Sequence, residues 1–439
     1  MNYDVIIVGA CTAGTFFANQ LAMRGLSVLV IDKDSEQDLC KRLDIIHFTR
    51  DSFEQFGVPE SLPGDEEFVR HFNLCYSKSA LNNHLKENKI NVSVLHLPLF
   101  IKRLRNTAKQ NGVEFLFEKK FVDLLRDDDG RICGVVTEDG SKYTCRLVVD
   151  ASGIPSVVRR VVRDKYVEDF AIGPRDKFYV LLKYVKLNDP NLTIEHSTSW
   201  QYYKGWIAPQ HTPGGAIIGV GANLSFDYAR KCMAKFESAI PLPDYTLQYE
   251  EMGSTPYTRP PFSFVGDGFL CIGDAAALTK PMNGEGIPMA WGHCMIAADV
   301  VAKALKEGYP TAEKLWNINV QYQRAEGAEY AGLRAMLVGA MKMTAKDNDY
   351  LFKESIVFKS DDYVAKSSEA ARLVKGVLTG QFALKSFVNF VRAIGIGNKL
   401  TKHYKNFPTN IQDFDKWRTK ALKLWKKAGS MADTVTDAD

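Results

Sequence analysis

The chain has no apolar run approaching the roughly 18 to 20 residues that a membrane-spanning helix needs. Its eight cysteines, at positions 11, 40, 75, 133, 145, 232, 271 and 294, include no Cys-x-x-Cys pair and no Cys/His cluster at zinc spacing. That argues against a structural metal or an iron–sulfur cluster. Charge of one sign is missing too: 56 basic residues stand against 52 acidic ones, too even a balance for nucleic acid to be the main partner. The N-terminus lacks the charged, apolar and cleavage regions of a signal peptide, so the expected compartment is the reducing cytoplasm. There is only one glycine fingerprint, hence no second dinucleotide site for NAD(P)H. At 439 residues and 46% hydrophobic, the chain can bury a large core in two or three substructures.

What is present begins with Tyr3 to Asp34. Val5 to Val8 reads as a buried strand, Thr15 to Arg24 has helical spacing with Gly25 just past its end, and Ser27 to Ile31 reads as a second strand. Gly9 and Gly14 stand where a dinucleotide fingerprint has its first and last glycines, while the middle one is Cys11. Cys11 is either a tolerated small residue or a thiol beside the cofactor. Asp32 is placed to accept hydrogen bonds from an adenosine ribose, with Lys33 beside it. The turn Thr12-Ala13-Gly14 opens a helix whose first N–H groups can face phosphates.

Further on, Arg42 can pair with a pyrophosphate or be a solvated surface charge. Leu95 to Asn111 reads as an entry turn and an amphipathic helix. Val113 to Phe117, Phe121 to Arg126, Ile132 to Thr137 and Ser141 to Cys145 read as a small antiparallel sheet inserted into the nucleotide domain. Leu147 to Arg160 reads as a strand, an Asp150-Ala151-Ser152-Gly153 turn and a helix start containing Arg159 and Arg160, which returns the chain to the parallel sheet. Lys177 to Val220 alternates apolar with polar residues and is rich in aromatics, as in a larger sheet. Its Tyr202, Tyr203 and Trp206 belong either to a pocket or to plain core. In Phe269 to Leu305, a strand enters Gly273-Asp274-Ala275-Ala276, where Asp274 can hold a polar hydroxyl. The glycine loop Pro281 to Ile287 then leads into a small-residue helix whose positive end can face an electron-rich ring.

These three stretches, in this order, resemble the flavoprotein family that includes geranylgeranyl reductases and shares the para-hydroxybenzoate hydroxylase fold. The resemblance covers about Met1 to Leu305. It implies an α/β fold: a Rossmann-like FAD-binding domain (1–170 and 265–310) and a mixed or antiparallel substrate sheet (171–264); residues 311–439 fall largely outside it and, rich in Lys, Ala, Leu and aromatic residues, read as a helical C-terminal region. FAD is the implied cofactor. Its ADP half falls to Gly9, Gly14 and Asp32, the Asp-Ala-Ser-Gly turn to Asp150, Ser152 and Gly153, and the flavin to Gly273, Asp274, Asn283, Gly284, Glu285, Gly286 and Ile287. The family's Tyr-x-Trp-x-Phe-Pro cavity motif is matched at Trp206 and Pro209 and not at Lys204 or Ala208. Cys40 matches a cysteine that many of these reductases carry after the second strand. Where the family commonly has an arginine near the flavin, this chain has Leu97.

The implied reaction is transfer of hydride from flavin N5 to a C=C bond of a small apolar, for example prenyl, substrate. Cys40, Tyr202 and Trp206 are the candidate catalytic residues, and NAD(P)H or a ferredoxin-type protein is the electron donor. A flavin monooxygenase or halogenase, and an electron carrier without its own substrate, are the alternatives. Near the end, Lys416 to Ala428 puts Trp417, Ala421, Leu424, Trp425 and Ala428 on one helical face. The segment either lies on an anionic membrane or docks by its tryptophans.

Overall fold

The computed structural model describes residues 2–39, 44–281, 284–340, 343–361, 363–364 and 367–429. Asn2–Val8 is an interior strand of an eight-stranded sheet. Val28–Ile31 lies parallel to it on one side, with Val5 opposite Val28, and Lys142–Asp150 lies parallel on the other, with Val5 opposite Leu147. Phe269–Cys271 pairs parallel with Val148 to Asp150. Strands buried on both faces read as unbroken apolar runs, and the side chains of Val5 to Val8 and Val28 to Ile31 are all buried. The consequence for function lies in the register. Val8 sits opposite both Ile31 and Asp150, and Asp150 sits opposite Cys271, so all four strands end at one edge of the sheet.

Several local expectations change in this frame. The first helix spans Thr12–Ala22. Glu114–Leu116 does not join an inserted antiparallel sheet but pairs parallel with Leu29 to Ile31. Phe121–Arg126 and Ile132–Thr137 form a meander with the first residues of Lys142–Asp150, and that one long strand serves both arrangements. The helix expected after Gly153 is only a single 3-10 turn, Arg159–Val161. The buried Asp150 carboxylate explains this, because it accepts from the amides of Ser152, Val158 and Arg159.

The second sheet contains Tyr245–Pro256, Lys177–Leu187, Gly215–Ala222, Gly205–Pro209, Ser197–Trp200, Phe68–Lys78, Leu85–His96 and Ile45–Thr49 in that order. Its last three strands come from within residues 1–170, so the boundary between the two sheets crosses the chain more often than the expected division has it. The C-terminal helices are not an appendage. Leu315, Trp316, Ile318, Leu400, Phe414, Trp417 and Ala421 share one apolar core with the parallel sheet, while Met343, Tyr350, Leu351, Leu373, Phe382 and Phe390 form a smaller cluster. Phe414–Ala428 docks by its tryptophans: Trp417 donates its indole N–H to the His403 carbonyl, and Trp425 donates to the Tyr404 hydroxyl. No helix among the described residues is long and apolar enough to cross a membrane.

Candidate functional site

The shared strand edge opens into a cavity of about 1340 Å³ that runs between the two sheets. Gly9, Asp32, Ser152, Gly153, Gly273 and Asp274 follow directly from the parallel strands and line it. Cys11, Thr12, Lys33, Gly284, Glu285, Gly286 and Ile287 line it as well. Gly14, which is buried, and the half-buried Ala13 are not among the lining residues. Tyr202, in the turn after Ser197–Trp200, and Trp206, in Gly205–Pro209, form part of the opposite wall. Cys40, Arg42 and Asn283 lie outside the described residues. Leu97 is core and does not line the cavity.

The glycine turn is set by close backbone approach. Gly9 has φ +115°, and a Cβ on it would meet the Ala151 carbonyl oxygen at 2.2 Å; one on Gly14 would meet the Gly9 carbonyl oxygen at 1.9 Å. Neither position tolerates a side chain without moving backbone. Cys11, by contrast, has φ −79°, an ordinary value for any residue, so the missing middle glycine costs the turn nothing. Asp32 closes the turn: Oδ2 accepts from the Ala10 amide at 2.7 Å and Oδ1 from the Asp34 amide at 2.9 Å. The Lys33 ammonium lies 2.6 Å from the Asp34 carboxylate.

Two helices point their N-termini into the cavity. Neither Thr12–Ala22 nor Ile287–Lys306 has a capping side-chain hydrogen bond or an acid in its first turn, so their first N–H groups and positive dipole ends are left for an anionic or electron-rich ligand. Trp291 locks the two together. Its indole N–H donates to the Thr12 carbonyl at 3.1 Å, and its ring stacks on Phe16 at 4.5 Å. Between them, burial pushes the Asp274 carboxyl up to about 6, opposed by a hydrogen bond from Thr279. A tight glycine cradle, two uncapped helix ends and an acid near a ribose position match a dinucleotide in shape and charge. The volume exceeds the roughly 300–1,000 Å³ of a single-ligand pocket, which leaves room for a second molecule beside an FAD.

The far half of the cavity is mostly apolar, with Phe48, Phe178, Leu182, Trp206, Leu337 and Leu351 among its lining residues. Close approach is built in here too, since a Cβ on Gly219 would meet the Trp206 ring at 2.3 Å. Sequence reasoning missed three features of this wall. His47 lines it with its side chain exposed to the cavity space; the protein enclosing it lowers its pKa to about 4, and its ring is hydrogen-bonded to the Pro209 backbone. Cys75, Ser77, Ser197 and Ser199 form a small polar band, brought together by the parallel pairing of Ser197 with Cys75 and Ser199 with Ser77. The helical region contributes Met343, Leu351 and Phe358. A lone histidine between apolar neighbours carries no local signal, and pairing between strands more than a hundred residues apart carries none either.

The fold and site define a flavoprotein. The model of the FAD binding domain family matches residues 2–246, and the chain belongs to that family; it is an FAD-dependent oxidoreductase. Within it, the chain is geranylgeranyl reductase-like. The digeranylgeranylglycerophospholipid reductase of Sulfolobus acidocaldarius is 24% identical, over 95% of this chain and 96% of that protein. A geranylgeranyl bacteriochlorophyll reductase-like protein of Thermoplasma acidophilum superposes with a TM-score of 0.74 at 16% identity, over 91% of this chain and 99% of that one. The 1H-pyrrole-2-carbonyl-[peptidyl-carrier protein] brominase of Pseudoalteromonas luteoviolacea is 26% identical, over 69% of this chain and 78% of that protein.

Proposed function

We propose that the protein reduces a C=C bond of a prenyl or other apolar chain. The observation that carries this reading is the single cavity whose glycine-rich half suits FAD and whose other half is apolar. The Sulfolobus relative, named for reduction of a digeranylgeranylglycerophospholipid, points the same way. Bound in that glycine-rich half in its reduced form, FAD would supply the hydride. Phe178, Leu182 and Trp206 hold the alkene by apolar contact and keep bulk water from the reacting carbons. A proton must reach the second carbon. The His47 ring, exposed to the cavity, is engaged with the Pro209 backbone; we assign the proton source to the cavity-facing Tyr202 phenol or to a water next to it. Asp32, Gly9, Ser152 and Gly153 position the ADP half; Asp274, Gly284, Glu285, Gly286 and Ile287 position the flavin. Cys40 stays a candidate proton donor and Arg42 a candidate phosphate contact. Electrons enter from NAD(P)H or a ferredoxin-type protein, since the chain carries no second nucleotide fingerprint.

The brominase relative supports a second reading, a flavin monooxygenase or halogenase. One experiment separates the two. The FAD-loaded protein is reduced without oxygen, then mixed either with a prenyl-lipid alkene or with oxygen while flavin absorbance is followed. Rapid reoxidation by the alkene with a slow oxygen reaction supports the reductase. An inert alkene and a rapid oxygen reaction move the assignment to the second class, and no substrate-linked reoxidation at all favours an electron carrier.

A further inference from the structure

The helices Glu369–Leu378 and Leu384–Lys405 form a hairpin closed by Thr379 to Ala383. Its inner side is used: Leu373, Phe382 and Phe390 pack with Met343, Tyr350 and Leu351, and Met343 and Leu351 line the cavity. Its outer side is apolar and bare. Leu378 is 81% exposed, Leu384 63%, Val388 55%, and Val374 and Val391 47% each. Val374 and Leu378 are one turn apart, as are Leu384 and Val388, with Val391 on the next turn, so each helix presents a stripe rather than scattered residues.

Charge shows what such a face suits. The chain from Ala370 to Gln412 contains no Asp or Glu, although the protein has 52 of them. Lys375, Lys385 and Arg392 are exposed among the bare apolar residues, and none pairs with a carboxylate among the described residues. A second copy of this chain would set that basic face against itself, with like charges opposed. An anionic surface into which apolar side chains can sink satisfies both features.

We propose that this hairpin docks the protein on an anionic lipid bilayer, with Leu378, Leu384 and Val388 entering the headgroup boundary and Lys375, Lys385 and Arg392 meeting lipid phosphates. The surface differs from the tryptophan face of Phe414–Ala428, which the core consumes. It lies one helix layer outside the cavity wall, so docking would bring the bilayer close to the site. The inference concerns binding alone and does not depend on the reaction.

The test is co-sedimentation of the FAD-loaded full chain with vesicles of phosphatidylglycerol and phosphatidylcholine, against phosphatidylcholine alone. The expected result is binding to the anionic vesicles that weakens with salt. The triple variant Lys375→Ala/Lys385→Ala/Arg392→Ala should lose about fivefold in partitioning per residue, and Leu378→Ser/Leu384→Ser should lose binding while keeping FAD and the wild-type melting temperature. Equal partitioning of these variants and the wild type would overturn the proposal. So would loss of binding only in Lys420→Ala/Lys423→Ala/Lys427→Ala, or a wild-type dimer that ignores vesicles and becomes monomeric in Leu378→Ser/Leu384→Ser.

Discussion

Removing the Asp32 carboxylate should weaken the apoprotein and the cofactor site by separable amounts. The Ala10 amide is buried, and its acceptor is Asp32 Oδ2 at 2.7 Å. Hydrogen bonds to charged groups contribute about 1.5–3 kcal/mol, and a buried donor left without a partner costs about 1–3 kcal/mol. The Asp34 amide, only part-buried, recovers a water and adds little. Asp32→Ala should therefore lower the stability of FAD-free protein by about 2–3 kcal/mol, read as an earlier urea midpoint at unchanged slope. If the same carboxylate also accepts from the ribose, FAD affinity should fall by a further factor of about 10 to 150, which is the same 1.5–3 kcal/mol expressed as an equilibrium constant. Titration of FAD into the apoprotein, followed by quenching of flavin fluorescence, measures this. Asp32→Asn keeps one oxygen for the Ala10 amide, so it should recover most of the stability and little of the affinity. A variant with lower stability but wild-type affinity would confine Asp32 to the turn. Wild-type values for both would refute the reasoning altogether.

Other perturbations test the remaining parts of the site. Gly14→Ala places a Cβ 1.9 Å from the Gly9 carbonyl oxygen, so the helix must move off the strand; a loss of about 1–3 kcal/mol, seen by thermal melting, should accompany sub-stoichiometric FAD in the purified protein. Trp206→Ala should leave FAD content intact and abolish alkene-dependent reoxidation, while loss of FAD would place Trp206 in the cofactor half. His293 is buried against Phe264 and Tyr322 with neither ring nitrogen hydrogen-bonded, and burial lowers its pKa from 6.5 to about 3. Because the unfolded chain takes up this proton first as pH falls below 6.5, His293 destabilises the fold progressively from there down to about 3. Near pH 5 the cost is about 2 kcal/mol. His293→Phe should flatten the fall in stability between those limits relative to its own value at pH 8, and an unchanged pH dependence would refute the assignment.

Much of the cofactor half was legible because its signals are local. Val5 to Val8, Val28 to Ile31 and Leu147 to Val149 announce strands buried on both faces, and the glycines that follow mark turns where backbone meets backbone. The meaning of Cys11 was half legible: the sequence shows a missing glycine, and only the backbone angle of −79° shows that the turn itself does not require one there. Asp150 read as part of a cofactor turn, yet its carboxylate is consumed by three backbone amides, an arrangement that depends on how the chain folds back over it. The substrate half was harder. Phe68 to Val94 drew no reading, although Phe72, Leu74 and Tyr76, and Ile90, Val92 and Val94, recur at the two-residue spacing of a strand; what the alternation cannot tell is which sheet these strands join.

By itself, the sequence determined that this is a nucleotide-binding α/β protein with three cofactor stretches in a set order, since strand burial, glycine turns and helix starts are written within a few neighbouring residues. Only the tertiary structure decided that Val8, Ile31, Asp150 and Cys271 end side by side, that His47 faces the cavity, and that Trp417 turns inward while Leu378 and Leu384 stay bare. Those outcomes depend on pairing and packing between residues far apart in the chain, where each side chain's environment is set by its partners and not by its neighbours in sequence.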